Sequence, residues 1–342
     1  MNPLLDDDVT VVRRPVYWTA LRTALGRTPI WFFCWVVPLC LALILSVPWR
    51  GWFFRTLEHR YEPGSVLVQM DANFRVDHAE SLEALGQGSA GVAAAMALVV
   101  MLFGAFSGGG WLQVFLERTQ GHSMRRFLWG GARYFWRFTR VWILTLGLLA
   151  FLGWVLQGWP WKVLMHLLFG AEDGNLQVLS SESSALYVTW VQDGAYALAF
   201  ALLLVWGDYT RARMAMQDTR SALWAGLCTA GMLMLHPVRS LRPMLLLGLF
   251  EFVVVWGIGV LSHDVNGSMS SGLGSVALLF VLGQAALLWQ GILRGARYHA
   301  AAQVSRALVP PLAQPDPWAS RVGGPGGPQY PIDMTDDYGV SI

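Results

Sequence analysis

Gly207-Asp208-Tyr209-Thr210-Arg211-Ala212-Arg213, followed by Met214 to Gln217 and Asp218-Thr219-Arg220, is the stretch on which the fold turns. It leaves the apolar segment Ala195–Trp206 and is the densest knot of opposed charges at any apolar boundary in the chain. If Ala195–Trp206 crosses a membrane, this block closes a fourth span and the chain crosses six times. If it does not, the arginines of the block fall on the side where basic residues are otherwise scarce.

Composition supports the membrane reading. Hydrophobic residues make up 55% of the 342 and charged residues only 13%, about half the usual share of a soluble domain. Mean hydropathy is +0.44. Trp is abundant, at 18, which suits rings seated at headgroup level. A chain this poor in charge is solvated by lipid over much of its surface, and it offers no basic surface suited to nucleic acid.

Six segments are long or apolar enough to cross, given the need for about 20 apolar residues. They are Ile30–Trp49, Ala90–Phe115, Val141–Leu156, Ala195–Trp206 with its flanks, Met244–Leu261 and Leu273–Leu293. The fourth is the shortest. Asp193 and Asp208 bound it, so it needs Gly194 and Gly207 to reach a usable length.

Counting Lys and Arg in each connection orients the chain. One side holds Arg50, Arg55, Arg60, Arg75 and Lys162; the rest of the 24 basic residues lie on the other. Six spans with both termini cytoplasmic satisfy this asymmetry, and the expected location is a bacterial inner membrane. Residues 1–14, with Asp6-Asp7-Asp8, read as a disordered cytoplasmic start. Residues 15–308 read as the six-span domain. Residues 309–342, rich in Pro and Gly, read as a disordered cytoplasmic tail. The first apolar segment is read as a retained span, not a cleaved leader. Val76–Leu85 reads as a short helix leading into span two, and residues 157–193 as a polar exterior loop.

Each odd-numbered span follows an amphipathic stretch: Val16–Thr28, Ser123–Arg140 and Ser221–Leu235. In the second, Met124, Phe127, Leu128, Tyr134 and Phe135 form an apolar face, while Arg126, Arg133, Arg137 and Arg140 recur on another. The expected unit is interfacial helix, span, exterior loop, span, three times over. Gly104-x-x-x-Gly108 and Gly291-x-x-x-Gly295 would let helices approach closely.

This layout resembles a broad group of uncharacterised bacterial six-span membrane proteins, akin to the membrane domain that accompanies some glycerophosphodiester phosphodiesterases. The residues that carry the resemblance are Ser107-Gly108-Gly109-Gly110 with Arg118, the run Phe127 to Phe138, Gly207 to Arg211, Asp218-Thr219-Arg220 and His236-Pro237. It covers residues 15–305. The resemblance implies a fold and a membrane location and brings no activity with it.

Several chemistries lack their residues. There is no His-Glu-x-x-His, and a Gly-x-x-x-x-Gly-Lys loop is impossible because Lys162 is the only lysine. The seven histidines are scattered, so no metal site and no cofactor are expected. Cys34, Cys40 and Cys228 suit packing, with no disulfide.

Two features remain. Glu251 sits within span five, where a carboxylate costs about 2.5–3.5 kcal/mol on insertion scales; it is expected to be protonated or to share a hydrogen bond with Gln284 of span six. Asp208 and Arg211 are spaced to pair on one helix, leaving Arg213 and Arg220 for an anionic partner. The reading is an all-α membrane protein and not an enzyme. It is expected to organise anionic lipids, or other membrane proteins, through Arg126, Arg133, Arg137, Arg213 and Arg220. The alternative is a permease with a cavity around Glu251.

Overall fold

A computed structural model of the chain describes residues 15–57, 72–116, 123–169, 182–268 and 273–308. The expected disordered start and tail lie outside these residues. The described part is helical throughout: α1 (Val16–Leu25), α2 (Thr28–Leu57), α3 (Ala72–Asp77), α4 (Ala79–Leu116), α5 (Ser123–Gln157), α6 (Trp159–Phe169), α7 (Glu182–Gln217), α8 (Ala222–Leu235), α9 (Pro237–Ser268) and α10 (Leu273–Leu308). Six helical stretches are long and apolar enough to span a membrane. The protein is an all-α membrane protein.

The fourth span is not a short one, although its apolar window has the lowest hydropathy of the six. α7 is a 36-residue helix that runs through Asp193 and Asp208 without a break, because both aspartates interrupt hydropathy and neither interrupts the backbone ladder. The connections expected to be exterior loops are likewise shorter than their polarity suggests. α6 and the start of α7 occupy much of residues 157–193, and α9 continues to Ser268.

The core lies at one end of the bundle. Only 6% to 17% of each apolar window is buried, so the spans mostly face lipid. Burial concentrates where the C-terminal parts of α4, α7 and α10 meet the N-terminal part of α5: Trp111, Phe127, Phe138, Tyr209, Met214 and Leu293 are almost fully enclosed. Glycines make this possible. A Cβ on Gly108 would stand 2.7 Å from Tyr298 Oη, and one on Gly295 would stand 2.9 Å from Trp111, so α4 and α10 cross through these two positions. Gly104 and Gly291, the other halves of the two expected motifs, have no such close neighbour. The tightest crossing is α4 on α5, where a Cβ on Gly109 would meet the Gly130 carbonyl at 2.8 Å and one on Gly130 would collide with Gln113. At the opposite end Trp52 and Phe74 form a small cluster with Phe53, Leu82 and Leu85.

The three stretches that precede the odd spans differ from one another. α1 is a separate helix that buries Ala20, Leu21 and Ala24 against α10. Ser123–Arg140 is continuous with the third span, and its buried face is Phe127, Gly130, Gly131, Tyr134 and Phe138; Leu128 points outward. α8 is separate again, but it carries no charged residue. Its outer face is Leu223, Trp224 and Leu227, so hydrocarbon solvates it, and at 14 residues it is too short, at about 21 Å, to span the membrane. Prolines explain the pattern. Pro29 and Pro237 start new helices after α1 and α8, and no proline stands between Phe138 and Val141.

Candidate functional site: a charged cluster at the floor of a lipid-facing groove

α7, α9 and α10 each bring charge to one place. Asp208 and Arg211 lie one turn apart on α7, both buried, and Arg211 Nη1 donates to Asp208 Oδ1 at 3.0 Å. Arg297 of α10 joins them, its Nε 3.7 Å from Asp208 Oδ2. The same guanidinium places Nη1 3.0 Å from Glu251 Oε2 on α9. Glu251 is therefore held by Arg297, not by Gln284. Gln284 accepts instead from Trp35 Nε1 at 3.1 Å, tying α10 to α2. The choice follows from strength, since a carboxylate at membrane depth gains far more from a guanidinium than from an amide.

The four groups are formally neutral together, and they gain a further contact from Trp142, whose ring lies 5.3 Å from the Arg211 guanidinium. Neutrality is what makes burial tolerable, because removing one partner of such a set leaves an uncompensated charge. Arg211 Nε, Arg297 Nε and Glu251 Oε2 make no aligned hydrogen bond among the described residues. Neighbouring bonds fix the frame: Tyr209 Oη donates to the Ser240 carbonyl at 2.7 Å, and Trp206 Nε1 donates to the Gly226 carbonyl at 2.9 Å.

Above the cluster lies a groove of about 1060 Å³. α7 lines one wall with Phe200 and Leu204, α9 the other with Leu245, Leu249 and Phe252, and α10 supplies Gln290 and Arg297. Arg242 stands at one end. The groove is at the upper end of small-ligand sites, about 300–1,000 Å³, and its walls are apolar except for the floor.

A second cluster gathers two of the five arginines expected to meet an outside partner. Asp218, at the end of α7, is paired with Arg137 and lies 3.8 Å from Arg133. Arg133 also lies over the rings of Trp129 and Tyr134. Asp218 has a φ of 49°, a left-handed conformation that Asp tolerates better than most residues. It thus turns the chain from α7 into α8 and clamps α5 in the same step. Arg213 Nε donates to Gln217 Oε1 at 3.0 Å, so it is not the free residue expected of it. Arg126 also has an interaction of its own. Of the expected set, Arg220 alone is exposed with no partner for its guanidinium among the described residues; its carbonyl accepts from Arg140 at 3.5 Å.

Among the described residues, the exposed arginines at this end are Arg22, Arg27, Arg125, Arg133, Arg140, Arg220, Arg239, Arg242, Arg294 and Arg306, of which Arg133, Arg140 and Arg306 also reach partners elsewhere in the chain. Helix periodicity could not separate the paired arginines from the rest, since the pairing residue Asp218 comes from another helix. Arg297, the pivot of the first cluster, was missed as well. Its signal is local: it sits among Gly295, Ala296, Ala300 and Ala301, small residues that let a helix sink into a core and carry Arg297 inward. Among the described residues no three His, Cys, Asp or Glu side chains gather as a metal site. No family model, no curated protein and no solved structure matches the chain.

Proposed function

We propose that the protein is a non-enzymatic, multi-pass protein of a bacterial inner membrane that organises anionic lipids through its arginine-rich end, with both termini cytoplasmic. One observation carries this reading: Arg137, Arg211 and Arg297 are paired within the protein and largely covered, while Arg22, Arg27, Arg125, Arg220, Arg239 and Arg242 at the same end are exposed. Each basic residue at an anionic membrane surface contributes about 1 kcal/mol, so such a set concentrates anionic lipid around the protein.

The test is lipid mass spectrometry on the full chain extracted in a polymer-bounded native disc. The expected result is enrichment of anionic lipids over the bulk membrane, falling as Arg220→Gln and Arg239→Gln are introduced, each by about five-fold in affinity. Bulk lipid composition around the wild type would sink the proposal. A permease is the second reading, favoured by the groove that holds Glu251 and Arg297 at its floor. It requires solute uptake into vesicles that Glu251→Gln abolishes.

A further inference from the structure

The groove between α7 and α9 is open because α9 packs mainly on α10 and touches α7 little. Its polar groups stand toward one end. Arg242 is exposed, and its guanidinium has no partner among the described residues. About 13 Å along α9 comes Glu251, paired with Arg297. Gln290 stands at that same level, since the ring of its neighbour Trp289 lies 5.6 Å from that of Phe250. Toward the other end the lining is apolar: Phe200 and Leu204 on α7, Phe252, Val255 and Trp256 on α9. Gly248, between Arg242 and Glu251, lines the groove as well. A Cβ there would have nothing within 4 Å, so its missing side chain serves no helix crossing and keeps the slot wide. From Arg242 to Trp256 the groove is about 21 Å long. Half of a bilayer with its headgroups, about 40–45 Å in all, has the same depth.

We infer that this groove is a binding site for one glycerophospholipid of a single leaflet, with one net negative charge in its headgroup. The phosphodiester meets Arg242, whose long stem folds along the apolar wall. The ester carbonyls, which only accept, take hydrogen bonds from the Gln290 amide and from Arg297 Nε, a buried donor with no aligned acceptor among the described residues. One acyl chain passes Gly248 and lies against Phe252 and Trp256. Charge selects the headgroup. Asp208, Arg211, Glu251 and Arg297 cancel, so Arg242 leaves the groove with one positive charge, which a phosphodiester neutralises. A zwitterionic headgroup would bring an ammonium that finds no unpaired carboxylate. The division of polarity selects the ligand class, because a water-soluble solute would leave the apolar end unfilled. The site does not rest on the enrichment proposed above. A surface of exposed arginines concentrates many lipids by charge alone, whereas the groove holds one by shape as well as charge.

Native mass spectrometry of the full chain in detergent, titrated with phosphatidylglycerol or with phosphatidylcholine, counts the lipids bound per chain. The expected result is one saturable phosphatidylglycerol per chain, held about five-fold more tightly than phosphatidylcholine. Arg242→Gln should weaken it about five-fold. Gly248→Phe fills the slot and should abolish the saturable adduct. That variant replaces a poor helix former where a Cβ meets no neighbour, so it should melt at or above the wild-type temperature, which separates blockage from misfolding. No saturable lipid on the wild type, equal affinity for the two lipids, or wild-type binding by Gly248→Phe would each overturn the inference. So would a two-chain mass that Gly248→Phe reduces to one, since a second copy would then occupy the groove. A saturable lipid that survives Gly248→Phe and falls with Arg220→Gln would belong to the exposed surface, overturning the groove site while supporting the proposed function.

Discussion

Arg297 shows what a single side chain does in this protein. Among the described residues it is the one that pairs with both Asp208 and Glu251, and so it joins α7, α9 and α10. Glu251→Gln leaves a net positive charge among four groups that are otherwise balanced. With the Glu251 side chain 21% exposed, the loss should be about 2–3 kcal/mol, below the range for a fully enclosed pair. Arg297→Gln leaves the opposite imbalance and should cost a similar amount. The double variant restores neutrality through Asp208 and Arg211, so it should be more stable than the sum of the two losses implies. Thermal unfolding in detergent, run as a double-mutant cycle, measures this coupling. Strict additivity would show that the two residues do not act as a pair.

Among the elements, the α4–α5 crossing depends most on the absence of side chains. Gly109, Gly110, Gly130 and Gly131 bring two backbones together where any Cβ would strike a neighbour. Gly130→Ala should destabilise the protein by about 1–3 kcal/mol through overpacking. Gly147→Ala lies farther along the same helix with nothing within 4 Å, and it should be neutral or slightly stabilising. Melting temperatures of the two variants decide the matter, and equal values would contradict the crossing. The C-terminus of α4 is also held from outside its own helix: Arg306 of α10 donates through Nη2 to the carbonyls of Phe115 and Leu116, at 3.2 and 3.1 Å. A cation at a helix C-terminus satisfies orphan acceptors and opposes the dipole.

For the molecule as a whole, the arrangement places Arg220 and Lys162 at opposite ends of the bundle, since α7 alone separates their sides. In a background with Cys34, Cys40 and Cys228 replaced by Ala, Arg220→Cys and Lys162→Cys should react with an impermeant maleimide from opposite faces of sealed membranes. Labelling of both from one face would remove a span and, with it, the six-span topology. The distribution of burial has a consequence at this scale too. Because the enclosed residues sit at one end and the spans are mostly lipid-facing, the far ends of the helices are held by little beyond Trp52, Phe74 and their neighbours. The groove between α7 and α9 lies nearer the enclosed end, where Asp208, Arg242 and Arg297 line it.

Some of this was written in the chain itself. Six spans follow from hydropathy, and the side on which arginine gathers follows from counting, because the bilayer imposes length and charge rules that act on local sequence alone. The pairing of Asp208 with Arg211 was legible for the same reason, since one helical turn sets that distance. Tertiary structure decided the rest. It gave Glu251 to Arg297 and Gln284 to Trp35, it took Arg133 and Arg137 for Asp218, and it chose Gly109 and Gly130 over Gly104 and Gly291. In each case two or more helices compete for one partner, and only their packing determines which side chains come within a few ångströms of each other.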